Sequence, residues 1–229
     1  MLPVIKKISD RIAGKRRFEA RRRQMRLIRN KDFTVFSNDC WGAEVYKYLS
    51  LPFNTPFIGL FLMAPCYLEF LRNPQHYITQ ELVFQDTSRY PEINEIRQKT
   101  PYPLANLGGK VEISFLHYHS VEEAREKWQR RAGRINWDNQ LVKFDGSKDG
   151  ATPELIHEFE QMPYRHLLLV KEPMPGAKDA IVVSKYTTNG AHMFQNSMPD
   201  YDLINWVNTG NPTFTIGSWF VHKLLGVGQ

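Results

Sequence analysis

Apolar and polar positions alternate between two periods along this chain, and each change of period marks an element. Phe33-Thr34-Val35-Phe36 is a short, β-rich apolar run. Ser37-Asn38-Asp39-Cys40 breaks it with polar and reactive side chains. Val45, Tyr46 and Leu49 then recur at helical spacing, opposite Glu44, Lys47 and Tyr48. A strand, a tight polar turn and a helix from Trp41 to Leu49 form the first half of a βαβ unit. Phe57 to Met63 is a continuous apolar run, which predicts a strand buried on both faces. Tyr67 to Arg72 starts a helix that Asn73-Pro74 stops. Tyr77 to Phe84 fits helix or strand, and Gln85 to Thr100 fits a loop or short helix.

Leu104 to Leu107, the turn pair Gly108-Gly109 and the alternating run Lys110 to Tyr118 predict a hairpin, with Val111, Ile113, Phe115 and His117 on one face. Ser120 with Glu123 three positions on is a capping box. It opens a predicted helix from Val121 to about Ile135, with Ala124, Trp128, Ala132 and Ile135 as its apolar stripe. Leu141 to Phe144 reads as a strand. Thr152 caps a helix from Pro153 to Gln161, with proline at the favoured first position. Leu167 to Val170 and Ala180 to Ser184 are the next strands. His192 to Pro199 reads as polar, Asp200 to Val207 as a short helix or turn, and Gly217 to Leu225 as a C-terminal helix. Strands alternating with helices predict an α/β fold with a mainly parallel sheet flanked by helices in Rossmann-like layers.

Charge divides the chain further. Residues 1–31 hold 12 of the 30 Lys/Arg and two of the 24 Asp/Glu, so this stretch carries +10 and the remainder −4. The expected organisation is a basic helical arm at residues 1–31 and a single α/β domain at 32–229. Three roles compete for the arm: a solvated helix packed on the body, attachment to an anionic membrane surface, and, ranked last, phosphate contacts to nucleic acid. The mildly acidic body argues against a nucleic-acid-binding domain. No apolar run approaches the ~20 residues that span a bilayer, no secretory h-region follows the basic start, and two cysteines 26 positions apart give no disulfide framework. A cytoplasmic protein, peripheral at the inner membrane face if the arm binds there, is the expected setting.

Several groups could carry chemistry. Cys40, at a strand end and a helix start, suits a nucleophile or a space-filling thiol, with Asn38, Asp39 and Trp41 beside it. His117 and His119 stand near a predicted strand end and suit a general base; no acid at ligand spacing supports a metal. Arg130, Arg131 and Arg134, followed by Asn136, Asp138 and Asn139, point to phosphate, since guanidinium forks match phosphate oxygens; the plain alternative is a solvated helix face. Asp149, in DGSKDG, is a further candidate at a strand end. No P-loop, GxGxxG, GxSxG, HExxH or CxxC occurs. No cofactor is expected.

The segments SNDCWG, LPFNTPFIGLF, Ala64-Pro65-Cys66, FLHYHSVEEAREKWQRRAGRINWDN and KDGAT resemble a bacterial domain family of unknown function whose members are commonly labelled exopolysaccharide-biosynthesis proteins. The resemblance runs from about Thr34 to beyond Pro163 and leaves the basic arm outside. It implies a cytoplasmic α/β protein tied to surface-polysaccharide synthesis, with no settled reaction and no catalytic residue to carry over. Nucleotide sugars and lipid-linked diphosphates are the usual substrates of such assembly, and both are anionic. The expected function is therefore a glycosyltransferase-like transferase binding a sugar-phosphate or nucleotide sugar. The alternatives are a Cys40-dependent acyltransferase or hydrolase, and a non-catalytic carbohydrate-binding protein at the membrane surface.

Overall fold

The computed structural model describes residues 25–215 and 219. Residues 1–24 of the expected arm and all but Trp219 of the expected C-terminal helix lie outside that range. The strands are β1 (Thr34–Ser37), β2 (Leu82–Phe84), β3 (Leu104–Leu107), β4 (Val111–Ser114), β5 (Gln140–Asp145), β6 (Arg165–Val170) and β7 (Ala180–Val182). The helices are α1 (Trp41–Leu49), α2 (Ala64–Arg72), α3 (Pro74–Thr79), α4 (Pro91–Lys99), α5 (Val121–Ala132), α6 (Pro153–Gln161), α7 (Gly190–Ser197) and α8 (Leu203–Thr209).

Two sheets result. One is wholly parallel in the order β1-β5-β6-β7; the other is antiparallel in the order β2-β3-β4. The expected mixed α/β class with a mostly parallel sheet holds, and the antiparallel sheet is added to it. The strands of the parallel sheet are apolar on both faces, as a sheet covered by helices on both sides requires. Val35, Leu141, Leu167 and Leu169 pack with α1, α7 and α8 around Trp41, Tyr46 and Trp206. Phe36, Val142, Phe144 and Leu168 pack with α2, α6 and the antiparallel sheet around Phe57, Tyr67 and Phe70.

The apolar run Phe57 to Met63 is buried, but it is not the predicted strand. Apart from a single bridge, Phe61 to Ser114, its backbone bonds go elsewhere. Leu62 N–H donates to Asn38 O at 2.9 Å, and just beyond it Ala64 N–H donates to Asp149 O at 2.7 Å. Gly59 turns the chain with φ +70°, and a Cβ there would meet His117 and Tyr118 at 3.3 Å. The run thus joins the antiparallel sheet to the carboxyl ends of β1 and β5. Apolarity recorded its burial, not its hydrogen bonding.

Three further expectations change. His192 to Pro199, a polar stretch with no element assigned to it, falls largely in a helix: Gly190–Ser197 is capped by Asn189 and buries Met193, Phe194 and Ser197. The Ser120 capping box forms, but the helix it opens ends at Ala132, with Gly133 as cap. Ser120 Oγ accepts from Glu123 N–H at 3.1 Å, while Glu123 reaches back to His119 N–H at 2.8 Å. The strand before it stops at Ser114, so His117 and His119 sit in the following turn.

Candidate active site

The carboxyl ends of β1 and β5 lie side by side, with Ser37 opposite Lys143. Asn38 clamps them: Asp145 N–H donates to Asn38 Oδ1 at 2.9 Å, and Asn38 Nδ2 lies 3.5 Å from Asp145 O. Asp39 follows, with 3 % exposure. Its Oδ1 accepts from Ser37 Oγ at 3.0 Å, Trp41 N–H at 3.1 Å and Lys143 Nζ at 3.0 Å. Its Oδ2 takes Lys143 Nζ at 3.0 Å and Lys148 Nζ at 2.9 Å. Lys143 is fully buried, and its ammonium also lies 5.8 Å from the centre of the Trp41 ring. Burial works to raise the Asp39 pKa, but the two ammoniums outweigh it and hold the carboxyl well below the usual range.

Lys148 joins this buried pair to a cleft. Besides Asp39 it donates to Thr188 O at 2.9 Å, and it stands 3.7 Å from Asp149 and 3.9 Å from Asp145. Two of its three N–H groups are thus directed, leaving one for a ligand. Burial disfavours its charge, yet Asp39, Asp149 and Asp145 together raise its pKa, so it stays an ammonium. Asp149 adopts φ +53°, a left-handed backbone that aspartate tolerates better than most residues. Among the described residues its carboxylate accepts no hydrogen bond. Burial raises its pKa; Lys148 opposes the shift and the neighbouring Asp39 and Asp145 reinforce it. Behind it, Asp145 is completely buried and also shifted up, chiefly by burial. Its Oδ1 accepts from Tyr186 O–H at 3.0 Å, and among the described residues its Oδ2 accepts no hydrogen bond, with Lys148 Nζ 3.9 Å away.

Asp39, Lys148 and Asp149 form one side of a cleft of about 660 Å³. Thr188, Asn189, Gly190 and His192, at the start of α7, continue the polar side. Phe61, Met63, Ile93, Ile96 and Leu116 make an apolar wall, with Glu92 and His117 beside it. Gly190 is needed here, because a Cβ would meet the backbone nitrogens of both Cys40 and Trp41 at 3.0 Å. Among the described residues, no group of three or more His, Cys, Asp or Glu side chains is arranged to hold a metal ion. A larger depression, about 840 Å³, lies around the amino end of β6, where Arg165, Lys178 and Asp179 line it. Lys178 and Asp179 there are exposed, and among the described residues no network of buried charges backs them. The smaller cleft, at the strand ends, is the one backed by such a network.

Of the residues singled out from sequence, Asp39, Cys40, His117 and Asp149 line this cleft. Cys40 occupies the start of α1 without capping it through its side chain. Burial, then the Asp39 charge, pushes its thiol up to about 11, away from a neutral-pH thiolate. Asn38 works as the strand clamp. Trp41 is buried against Phe194, Tyr201 and Trp206. His119 is exposed in the turn before α5.

The arginine group and the residues after it are not brought to the cleft. Asn136 N–H donates to Thr34 Oγ1, and Thr34 N–H to Asn139 O, which places them at the amino end of β1. Roughly 10 Å of strand, at ~3.3 Å per residue, separates that end from Ser37. Arg130 pairs with Glu126, and Arg134 and Asp138 are exposed. Arg131 is buried, donates to Tyr118 O–H at 2.6 Å and stacks over Phe53. Lys143, Lys148, Asp145 and Tyr186 escaped the sequence reading. One signal for them was present: Lys143 is a charge inside the otherwise apolar run LVKF.

A protein of Haemophilus influenzae (strain Rd), described as an uncharacterized protein, is 31% identical to this chain over 212 residues, which is 88% of this chain and 97% of its own length. The family match reaches into the basic stretch that the sequence resemblance left outside, and its description names no activity. Residues 12–208 match the domain of unknown function DUF1919, and the chain belongs to that family.

Proposed function

We propose that the cleft is the active site of a glycosyltransferase-like transferase that moves a sugar from a sugar-phosphate or nucleotide-sugar donor onto an acceptor hydroxyl, as in surface-polysaccharide synthesis. The observation that carries this is Asp149, a carboxyl without a hydrogen-bond partner among the described residues, held at the cleft beside a fixed ammonium. Asp149 serves as general base, taking the proton of the acceptor hydroxyl as its oxygen bonds the donor's anomeric carbon and the bond from that carbon to the phosphate oxygen breaks, so that the phosphate leaves as an anion. The open N–H of Lys148 and the amino end of α7 receive phosphate oxygens, a role suited to free backbone N–H groups and a cation. Asp39 and Lys143 act through Lys148 by fixing its position. The apolar wall takes the carbon face of a ring, and His117 and Asn189 supply hydrogen bonds to hydroxyls. In this reading the arginines of α5 play no part in phosphate binding. The raised thiol pKa disfavours Cys40 as nucleophile. The basic stretch at residues 1–31 is a candidate anchor to an anionic inner-membrane surface, which fits an acceptor made there.

The test is a transfer assay over a panel of sugar phosphates and nucleotide sugars with polyol acceptors. Asp149→Asn is expected to lower turnover about 10²–10⁴-fold with little change in Kd. Turnover in the wild type should rise with pH through a value higher than that of an ordinary aspartate, because the base must lose its proton and burial raises its pKa. Full turnover in Asp149→Asn would remove the proposed mechanism.

A further inference from the structure

The segment that leads into the Thr188–Asn189 wall of the cleft differs from the rest in how it is held. Residues 184–189 join β7 to α7, and both ends are fixed. Ser184 N–H and Oγ both donate to Asp200, at 3.1 and 3.3 Å. Gly190 is wedged against the backbone of Cys40 and Trp41. Between these points Lys185, Thr188 and Asn189 are exposed and Tyr186 is half-buried. Lys185 O accepts from Asn196 of α7 at 2.8 Å. Among the described residues, two hydrogen bonds tie the segment to the floor of the cleft: Tyr186 O–H to Asp145 Oδ1 at 3.0 Å, and Lys148 Nζ to Thr188 O at 2.9 Å. Both end on the charged cluster, and the segment's one apolar contact with the core around Trp41 is the Tyr186 ring, which is only half-buried there.

A segment with fixed ends, exposed residues on both sides of the half-buried Tyr186 and Thr187, and two polar ties has the build of a low-stability unit that opens locally while the sheet stays intact. We infer that residues 185–189 form a strap over the charged side of the cleft, latched by the Tyr186–Asp145 and Lys148–Thr188 hydrogen bonds. Opening the strap uncovers Lys148 and Asp145, and the Lys148 N–H now given to Thr188 O becomes available to an incoming anion. Calling the strap a gate for substrate rests on the proposed function; its movement does not.

The test therefore uses no substrate. Trypsin cuts after Lys185, within the strap, and mass spectrometry separates that cut from those elsewhere. When reclosing is fast, cleavage follows the population of the open form. Tyr186→Phe keeps the ring and removes one latch bond, so cleavage after Lys185 in the full chain should rise about two- to tenfold. Amide exchange at residues 185–189 should quicken while exchange in β5 and β6 is unchanged. Unaltered cleavage and exchange in Tyr186→Phe would overturn the latch. So would a general rise in cleavage and exchange across the sheet, which would make Tyr186 a residue of the fold alone. Loss of the proposed transferase activity in other variants would not touch this result.

Discussion

At the scale of single residues the organising group is Asp39. It takes backbone, hydroxyl and two ammonium donors in a place where an unpaired charge is costly. Removing one member of a buried ion pair strands the other, at a cost of about 3–5 kcal/mol. Asp39→Asn should lower unfolding free energy by about 3 kcal/mol, read from urea midpoints, because Lys143 then lies buried without its carboxylate. The pH dependence carries a sign. A carboxyl whose folded pKa is depressed contributes stability that is complete above its unfolded pKa of about 3.9 and is lost as pH falls through the folded value. The wild type should therefore lose stability progressively below about pH 4, and Asp39→Asn should lack that part of the loss. Cys40 offers an independent check. With its thiol at about 11, it should react with a thiol reagent at pH 8 far more slowly than a free cysteine does. Reaction at the rate of a free thiol would contradict the burial described.

At the scale of elements, the cleft depends on close approach between α7 and the start of α1, and on the anchoring of α4. Gly190→Ala places a methyl 3.0 Å from two backbone nitrogens that cannot move without shifting α1. Differential scanning calorimetry should show a loss of about 1–3 kcal/mol. The chain leading into α4 is held by buried Glu112 of β4. Its Oε1 accepts from Arg89 Nε at 2.9 Å, and its Oε2 from Ser88 Oγ at 2.5 Å. Glu112→Gln should loosen α4, seen as faster amide exchange at Ile93 and Ile96, while the parallel sheet keeps its protection. Equal exchange in the two proteins would mean that the apolar wall is held by Ile93 packing on Met63 and Leu104 instead.

At the scale of the whole molecule, the parallel sheet has two chemically different ends. Its carboxyl end gathers Asp39, Lys143, Asp145, Lys148 and Asp149. Its amino end carries Asn136, Asn139 and Arg165, joined by the Arg165–Asn139 hydrogen bond. Elements set by local patterning were legible in the sequence. Trp41–Leu49 and Pro153–Gln161 have the predicted bounds, because apolar spacing and, in the second, Thr152 and Pro153 fix them locally. Phe57 to Met63 was misread because a buried run looks the same whether its backbone bonds join a ladder or are shared among three other segments. The cleft was half legible. The polar turn after β1 marked Asn38, Asp39 and Cys40, but the partners of Asp39 lie 104 and 109 positions away, at Lys143 and Lys148. Only the register of β1 on β5 brings them together. The arginines of α5 misdirected the reading for the same reason: their spacing was visible, but which end of the sheet they faced was not.

The most direct measurement is calorimetric titration of inorganic pyrophosphate, and then of nucleotide sugars, into three proteins: wild type, Lys148→Met and Arg134→Ala. If the cleft at the strand ends holds the phosphate, Lys148→Met weakens binding about tenfold or more, the weight of one charge-assisted hydrogen bond. Arg134→Ala should bind as wild type does. Loss of binding in Arg134→Ala with Lys148→Met unaffected would place the phosphate at the amino end of the sheet and contradict the assignment of the cleft.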